Sequence, residues 1–295
     1  MKVDLHIHSK EGSDGRMPLS EIFKAAHQRQ IKVISITDHD SIECQGTANA
    51  LAAKYGIHYI AGVELNISFS HPQYRDGKAV SLDLLGYQFD IHNQALAGKL
   101  EELKKYRKQR AEQILERINQ ELVTRGIRPF THEDLEAIEE TVGGAFGRPH
   151  IADYLVKKRI VSTRQEAFDK YLVKCDVPKM PLSLQDASSL IRAADGKLVL
   201  AHPNDPNGTS LHSLSPTVQE QHRIIKESML SYLDGVECWH PRHDPETVSA
   251  YVSFAGEEAL IVTGGSDCHQ QPPILGTIDV PAYVARQFGV ILQSD

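Results

Sequence analysis

The chain has 295 residues, of which 41% are hydrophobic, so it is long enough for one large barrel or for two domains with a proper core. Its formal net charge of −7 argues against electrostatic capture of long nucleic acid or of an anionic membrane, and no protein partner can be inferred. The four cysteines have no Cys-x-x-Cys spacing, no apolar stretch could span a bilayer, and no signal peptide opens the chain, so we expect a cytoplasmic protein.

The first apolar run of the chain ends in two histidines, in the segment Asp4-Leu5-His6-Ile7-His8-Ser9. Because alternate residues of a strand point to the same face, His6 and His8 can reach one metal ion together. Imidazole is a suitable ligand for zinc, iron and related divalent ions. The pair is weak evidence by itself, since 15 histidines in the chain will produce some close pairs by chance.

Six later apolar runs also lead into residue types that bind metals. These residues are Asp38, His39, Asp40, Glu64, Asp83, His202, His240, Asp267 and His269. Each of them could be an ordinary polar residue at a strand end, but packing does not require a histidine or a carboxylate at the end of nearly every apolar run. Helical patterns separate most of the seven runs, which predicts parallel strands with crossover helices and an α/β fold. In an α/β barrel the strand ends meet at one mouth, so we expect these side chains to converge there.

A long helical pattern interrupts the strands. Residues 91–181 are predicted to form an inserted helical sub-domain, while residues 1–90 and 182–295 form the barrel domain. Within the insertion, the segment Gly143-Gly144-Ala145-Phe146-Gly147-Arg148-Pro149-His150 combines a glycine-rich loop with a helix start flanked by two cationic residue types. Such a segment suits a phosphate or another anion. A loop that merely caps a helix, with an exposed arginine, explains the same residues equally well.

Eight motifs, taken in order along the chain, resemble those of the polymerase-and-histidinol-phosphatase (PHP) family. They are Asp4–Ser9, Ser13–Gly15, Ile36–Asp40, Gly62–Glu64, Leu85–Tyr87, Gly147–His150, Ala201–Pro203 and Gly265–His269. The resemblance spans nearly the whole chain. Within the family, the chain looks like the branch of metal-dependent phosphoesterases with a helical insertion, which includes nucleoside 3′,5′-bisphosphate phosphatases and enzymes that trim short RNA from the 5′ end.

This resemblance implies a distorted (β/α)7 barrel whose strand ends hold two to three divalent ions of manganese, iron or zinc. By position, the resemblance assigns His6, His8, Glu64 and Asp267 to the first ion; Glu64, His202 and Asp83 to the second; and Asp14, His39 and His269 to the third.

The chain departs from the family pattern at two of these positions. Asp83 stands where a histidine is common, and aspartate is a competent ligand that should favour manganese or iron over zinc. His71, in a polar stretch that resembles a hairpin loop, is the competing candidate for this ligand position. One extra residue precedes Ser13-Asp14-Gly15, which weakens the alignment of Asp14.

The resemblance and the ligand set predict hydrolysis of small phosphate esters by attack of a metal-activated hydroxide on phosphorus. The leading substrates are the 3′-phosphate of nucleoside 3′,5′-bisphosphates and short 5′-phosphorylated oligoribonucleotides. The remaining roles are distributed over several residues: His202, His240 or His243 as the proton donor; Asp38 or Asp40, and similarly Asp4, orienting a histidine ligand; and Arg148, His150, Lys174 and Lys179 recognising phosphate or sugar.

Two other classes of function stay open. One is a different phosphoesterase, either a cyclic phosphodiesterase or a histidinol-phosphate-like phosphomonoesterase, which a panel of substrates would distinguish. The other is a non-catalytic metal-binding or regulatory module, which a divalent-dependent release of phosphate from any ester would eliminate.

Overall fold

The computed structural model describes residues 2–142, 146–178, 180 and 182–291. Strands and helices alternate along most of this chain. The strands are β1 (Lys2–Asp4), β2 (Ile31–Ile34), β3 (His58–Tyr59), β4 (Gly62–Phe69), β5 (Val80–Tyr87), β6 (Lys197–Leu200), β7 (Gly235–Trp239) and β8 (Ile261–Gly264). The helices are α1 (Leu19–Gln28), α2 (Gln45–Tyr55), α3 (Gln94–Thr124), α4 (His132–Glu139), α5 (Arg148–Lys157), α6 (Arg164–Ala167), α7 (Leu184–Ala193), α8 (Val218–Ser228), α9 (Pro245–Glu257) and α10 (Tyr283–Arg286). The α/β class predicted from the sequence is therefore confirmed.

In the described part of the chain the strands form two sheets. One sheet has the order β1-β2-β3 and is parallel; the other has the order β4-β5-β6-β7-β8. In the second sheet β5 pairs antiparallel with both β4 and β6, while β6, β7 and β8 are parallel. The prediction that all strands are parallel is wrong for β5. The connection from β4 to β5 has no α-helix, so the chain cannot cross over and instead turns back as a hairpin.

The two sheets meet at both of their outer edges. Ile7 forms an isolated bridge with Cys268 at one seam, and His39 forms one with Glu64 at the other. Backbone hydrogen bonds support both seams, from Leu5 N to Gly264 O (3.1 Å) and from Glu64 N to Asp38 O (3.2 Å). Because each seam has isolated bridges instead of a continuous ladder, a closed seven-stranded barrel is not confirmed.

Hydrophobic packing separates the barrel-like part of the chain from much of the insertion. The first half of α3 contributes Leu96, Leu100 and Leu103 to the core that also holds β4 to β8. Its second half contributes residues such as Ile114 and Ile118 to a core shared with α4, α5 and α6. One long helix thus contributes to two cores and connects them along the chain. The boundaries of the insertion at residues 91 and 181 stay a prediction.

Among the residues that the structure describes, no helix combines the length and the apolar character needed to cross a membrane.

Candidate metal centre

The backbone is unusual at three of the predicted site residues, two of them predicted metal ligands. Asp40, His202 and Asp267 have φ angles of 48°, 25° and 47°, a left-handed conformation that non-glycine residues adopt at a cost. All three residues lie in the segments that follow a strand. Gly265 allows β8 to approach β1 closely, since a Cβ atom there would lie 2.3 Å from His6 N.

The histidines and carboxylates at this mouth form three overlapping clusters within the described part of the chain. In each cluster, atoms able to bind a metal lie within 4.8 Å of one another. The clusters are His8, Asp14, His39 and His269; His6, His8 and Asp267; and His6, Glu64 and His202. Two residues, His6 and His8, are shared between clusters. Eight of the nine predicted metal ligands are therefore brought together, and Asp83 lies next to them, with its Oδ2 4.0 Å from His202 Nε2.

Several metal-binding atoms of the clusters point toward shared space and not toward one another, although His202 Nε2 and Glu64 Oε1 are hydrogen-bonded at 3.2 Å. His6 Nε2, His8 Nε2 and Asp14 Oδ1 are buried, and none of them has a hydrogen-bond partner of acceptable geometry among the described residues. Yet His6 Nε2 and His8 Nε2 each lie 3.3 Å from Asp267 Oδ1. Buried polar atoms are nearly always satisfied, so several atoms that surround a point without bonding to each other fit ligands of a common ion. Imidazole nitrogen and carboxylate oxygen together suit zinc, iron or manganese.

The electrostatics of the clusters favour ionised side chains. Burial would raise the pKa of Asp14, Glu64 and Asp267, but the neighbouring histidines more than offset it and hold all three well below their usual range. Burial would lower the pKa values of the histidines, but the carboxylates raise that of His39 to about 9 and that of His269 to about 10. Protons on these imidazoles therefore occupy the atoms that a metal ion would need. Metal binding must release them.

Asp83 and His71 lie in different surroundings. Asp83 lies within β5 and not at its end as predicted, because the strand continues as far as Tyr87. Its carboxylate accepts a hydrogen bond from the side chain of Asn66 and faces His202. His71 instead directs Nε2 toward Glu227, at 3.7 Å, and packs edge-on against Tyr74. This geometry supports Asp83 as the ligand, although that assignment stays a prediction.

Of the two histidines that follow β7, His240 is the one that faces the clusters. Its Nε2 lies 3.4 Å from Asp267 Oδ2, and its ring centroid is 5.2 Å from that of His202. His243 uses both ring nitrogens elsewhere, since Nδ1 donates to Cys238 O (2.9 Å) and Nε2 accepts from Asn204 N (3.3 Å). Burial also lowers the pKa of His243 to about 4, so its neutral form prevails.

The three aspartates proposed to orient histidine ligands make other contacts. Asp38 accepts hydrogen bonds from Ser9 N, Ser9 Oγ and Ser13 Oγ, each at 2.7 Å, and so holds the loop that positions Asp14. Asp40 accepts from Arg107 Nε at 2.7 Å. Asp4 accepts from the backbone N–H groups of residues 266 and 276, at 2.9 and 2.8 Å. None of these bonds reaches a histidine ring; the three carboxylates instead hold backbone N–H groups, serine hydroxyls and the Arg107 guanidinium.

The residue that does orient a histidine ligand, Glu237, was missed by the sequence reasoning. Its Oε1 lies 3.1 Å from His6 Nδ1, and its Oε2 accepts a hydrogen bond from His202 N at 2.8 Å. Glu237 is completely buried in β7, and although burial opposes ionisation, His6 lowers its pKa below the usual value. A glutamate inside an apolar strand was the available signal, because a buried carboxylate requires partners.

Within the described part of the chain, the predicted substrate-binding residues are not gathered at the mouth. Arg148 Nη1 bonds Asp176 Oδ2 at 2.8 Å, and its guanidinium lies over the Phe168 ring. Lys174 pairs with Glu121 at 2.7 Å on the surface of the insertion. His150 caps the start of α5 through Gly147 N and also lines a cavity that contains Asp14. Lys179, like residues 143–145 of the glycine-rich segment, lies outside the described residues.

Relatives with similar sequences cover almost the whole chain. It is 27% identical over 270 residues to a 3′,5′-nucleoside bisphosphate phosphatase from Chromobacterium violaceum, covering 90% of this chain and 87% of the relative. It is 26% identical over 275 residues to the 5′-3′ exoribonuclease Rnm of Escherichia coli, covering 92% of this chain and 86% of the relative.

Comparison with solved structures and with family models agrees with these relatives. A proposed metal-dependent phosphoesterase from Bifidobacterium adolescentis superposes with a TM-score of 0.80 at 26% identity, covering 97% of this chain and 94% of that structure. Residues 4–174, more than half of the chain, match the family model of the PHP domain. The chain therefore belongs to the PHP domain family, as its motifs predicted.

Proposed function

We propose that this PHP-family protein is a metal-dependent hydrolase that cleaves phosphate esters of small nucleotides. The leading substrates are the 3′-phosphate of nucleoside 3′,5′-bisphosphates and short 5′-phosphorylated oligoribonucleotides. The observation that supports this proposal is the set of three overlapping histidine and carboxylate clusters at one mouth. A bisphosphate phosphatase and an exoribonuclease among the relatives support the choice of a nucleotide or short RNA as the substrate.

Two to three divalent ions of manganese, iron or zinc would be held at this mouth. His8, Asp14, His39 and His269 would hold one ion, and His6, His8 and Asp267, beside Glu64, would hold another. His6, Glu64 and His202 would hold the remaining ion, with Asp83 completing this group. Ions bound there supply an activated water as nucleophile near neutral pH and neutralise negative charge on the phosphate.

The protein's own side chains would attract the phosphate and protonate the leaving group. Four carboxylates lie at the mouth, Asp14, Glu64, Asp83 and Asp267, and three divalent ions would exceed their negative charge. The loaded mouth would therefore attract a phosphate dianion although the whole chain is acidic. His240 is our candidate for the proton donor, because its Nε2 faces the clusters from the side of Asp267.

We also infer that the two sheets together act as a distorted barrel, since isolated bridges join them at both seams. A cytoplasmic location is part of the proposal. It rests on the four buried cysteines, which are all unpaired, as is usual in a reducing compartment.

Metal analysis of the purified protein, combined with a hydrolysis assay that detects both released phosphate and product nucleotides, tests the proposal. The panel would contain adenosine 3′,5′-bisphosphate, a 5′-phosphorylated trinucleotide, a cyclic nucleotide and an aryl phosphate. We expect His6→Ala and Asp267→Asn to lower kcat by well over tenfold, because both residues belong to the clusters. His92→Ala, which changes an exposed histidine at the start of α3, serves as the control and should keep full activity.

Either variant retaining more than about a tenth of the wild-type kcat, a change in barrier below about 1.4 kcal/mol, would remove its residue from the proposed site. Bound metal without hydrolysis of any ester in the panel would instead indicate a non-catalytic metal-binding module. Ring opening of the cyclic nucleotide alone, to a nucleoside monophosphate, would identify a cyclic phosphodiesterase.

A further inference from the structure

A cavity of about 280 Å³ opens beside the metal centre, between the loop that contains Asp14 and the helices of the insertion. The loop contributes Lys10 and Arg16 to its lining, and the insertion contributes Lys157 at the end of α5 and Arg164 at the start of α6. Two separate segments of the chain therefore bring four cations to one cavity in an acidic protein.

The carboxylates of this cavity do not neutralise its cations. Arg164 forms a fork with both oxygens of Asp153, and Arg16 lies 3.8 Å from the same carboxylate. Within the described part of the chain, neither Lys10 nor Lys157 has a carboxylate within ion-pair distance, and Lys157 contacts only the ring of Tyr154 as a cation. The two lysines are exposed and leave positive charge available for an anion.

The position of the cavity links it to the metal clusters. Asp14 lines the cavity and also belongs to the cluster with His8, His39 and His269. A phosphate held at the clusters would therefore have the cationic cavity as its immediate neighbour. Lysine and arginine side chains are the usual partners of phosphate, arginine through a planar fork and lysine as a point charge.

We infer that this cavity binds a second phosphate monoester of the substrate, one that is not hydrolysed while it is held there. The inference rests on the proposed function and assigns the recognition to Lys10, Arg16, Lys157 and Arg164. These four residues take the phosphate-binding role that the sequence suggested for Arg148, because the guanidinium of Arg148 pairs with Asp176 and lies over the Phe168 ring. Both leading substrates carry such a terminal phosphate, one on a single nucleotide and the other at the 5′ end of a short RNA.

Charge reversal of the two unpaired lysines tests the inference. We expect Lys157→Glu and Lys10→Glu each to lower the ratio of kcat/KM for adenosine 3′,5′-bisphosphate to that for adenosine 3′-monophosphate by about tenfold or more, the size of one charge-assisted hydrogen bond. Lys157→Arg should restore most of the ratio. Lys54→Glu is a matched control, since Lys54 is also exposed and also lies over the ring of the neighbouring tyrosine, outside the cavity.

The same variants with a 5′-phosphorylated and a 5′-hydroxyl trinucleotide distinguish the two sources of the phosphate. A loss confined to the phosphorylated RNA would assign the cavity to RNA ends, and a loss confined to the bisphosphate would assign it to single nucleotides. Binding of adenosine 5′-monophosphate to the protein, measured by calorimetry, should weaken in parallel, and this readout does not need turnover.

An unchanged ratio with both lysine variants, at wild-type thermal stability, would overturn the inference while leaving the phosphatase activity intact. If wild-type protein hydrolyses no phosphate ester, the proposed function fails instead. The two failures are therefore distinguishable in one set of assays.

Discussion

Glu237 joins two of the candidate metal ligands through one buried carboxylate. It accepts from the ring of His6, which belongs to two clusters, and from the backbone N–H of His202, which belongs to one of them. The contact with Nδ1 directs Nε2 of His6 toward Glu64 and Asp267. A carboxylate behind a histidine ligand both fixes the ring and raises its basicity. The two candidate ion sites that share His6 would therefore depend on a residue that belongs to neither cluster.

We predict that Glu237→Gln weakens metal binding by about tenfold or more, the usual cost of losing such a partner. The carboxylate accepts from both the His202 N–H and the ring of His6. A glutamine amide has only one oxygen, so its NH2 group would face one of these two partners. Calorimetric titration of the metal-free protein with Mn²⁺ measures the effect directly.

Asp234→Asn provides the control for this experiment. Asp234 directly precedes β7 and, like Glu237, accepts a hydrogen bond from a backbone N–H, that of Leu198 in β6, at 2.8 Å. This bond lies at the opposite end of the two strands. It should leave the metal affinity unchanged. Equal metal affinity in Glu237→Gln and wild-type protein would show that Glu237 only fills space in the core.

At the level of secondary structure, α3 connects the insertion to the mouth through a buried ion pair. Arg107 donates from Nε to Asp40 Oδ2 at 2.7 Å, and Asp40 also accepts from Asn66 N at 3.3 Å. The side chains of Arg107 and Asp40 are only 15% and 5% exposed. One turn earlier, Lys104 pairs with Glu43, but there both side chains are largely exposed. The same helix therefore contacts the same loop through one buried pair and one surface pair.

We predict that Arg107→Met destabilises the protein by about 3 kcal/mol, because it leaves the Asp40 carboxylate buried without its cation. Adding Asp40→Asn to the Arg107→Met variant should recover much of this loss. A double-mutant cycle, measured by denaturant unfolding, gives the coupling free energy of the two residues. Lys104→Met should cost less than about 1 kcal/mol, as exposed pairs do. Similar losses for the buried and the surface pair would contradict this account of how α3 is held.

The sequence predicted the ends of elements better than their pairing. His6, His8, His39, Glu64, His202 and Asp267 were expected at one mouth because each follows an apolar run, and the structure brings them together there. Strand direction was harder, because the apolar run that contains β5 looks alike whether the strand is parallel or antiparallel. Only the absence of a helix between β4 and β5 distinguishes the two, which is a property of the connection.

The side-chain partners of the buried arginines were the second feature that could not be predicted from the sequence. Arg107 and Arg110 continue the stripe of Leu96, Leu100 and Leu103 at helical spacing, so their positions predict burial although their charges suggest solvent. Arg110 is indeed buried and donates to Val177 O at 2.6 Å. No local pattern identifies Asp40 or Val177 as the partners, since both lie far away in the chain. For the same reason, the pairing of Arg148 with Asp176 could not be foreseen.

At the scale of the whole molecule, the candidate metal centre gathers several buried ionised groups. The ionised groups of the clusters come from residues at both ends of the chain, between His6 and His269. In metal-free protein, charged histidines neutralise the carboxylates; in metal-loaded protein, the ions must do so, because a histidine binds metal in its neutral form. The stability of the fold is therefore coupled to both pH and metal concentration.

The direction of the pH dependence follows from the pKa values of the buried groups. Carboxylates raise the pKa of His39 and His202 to about 9 and that of His269 to about 10, against the opposing effect of burial. These histidines stabilise the metal-free fold fully below about pH 6.5, and the stabilisation is lost as the pH rises toward 9 to 10. Asp14, Glu64 and Asp267 have lowered pKa values, so their contribution is present above about pH 4.5 and is lost in acid.

We therefore predict that metal-free protein is most stable between about pH 4.5 and 6.5 and that its Tm falls between pH 6.5 and 9. One pKa unit corresponds to about 1.4 kcal/mol, so the decrease should be at least about 3 °C for a chain of this size. Saturating Mn²⁺ should remove or reverse the decrease, since neutral imidazoles are then the bound form and the ions replace the lost positive charge. Thermal scans with a chelator and with Mn²⁺ across this range measure both effects. A metal-free Tm that rises from pH 6.5 to 9 would mean that the histidines are neutral in the folded protein and that the clusters are held together in some other way.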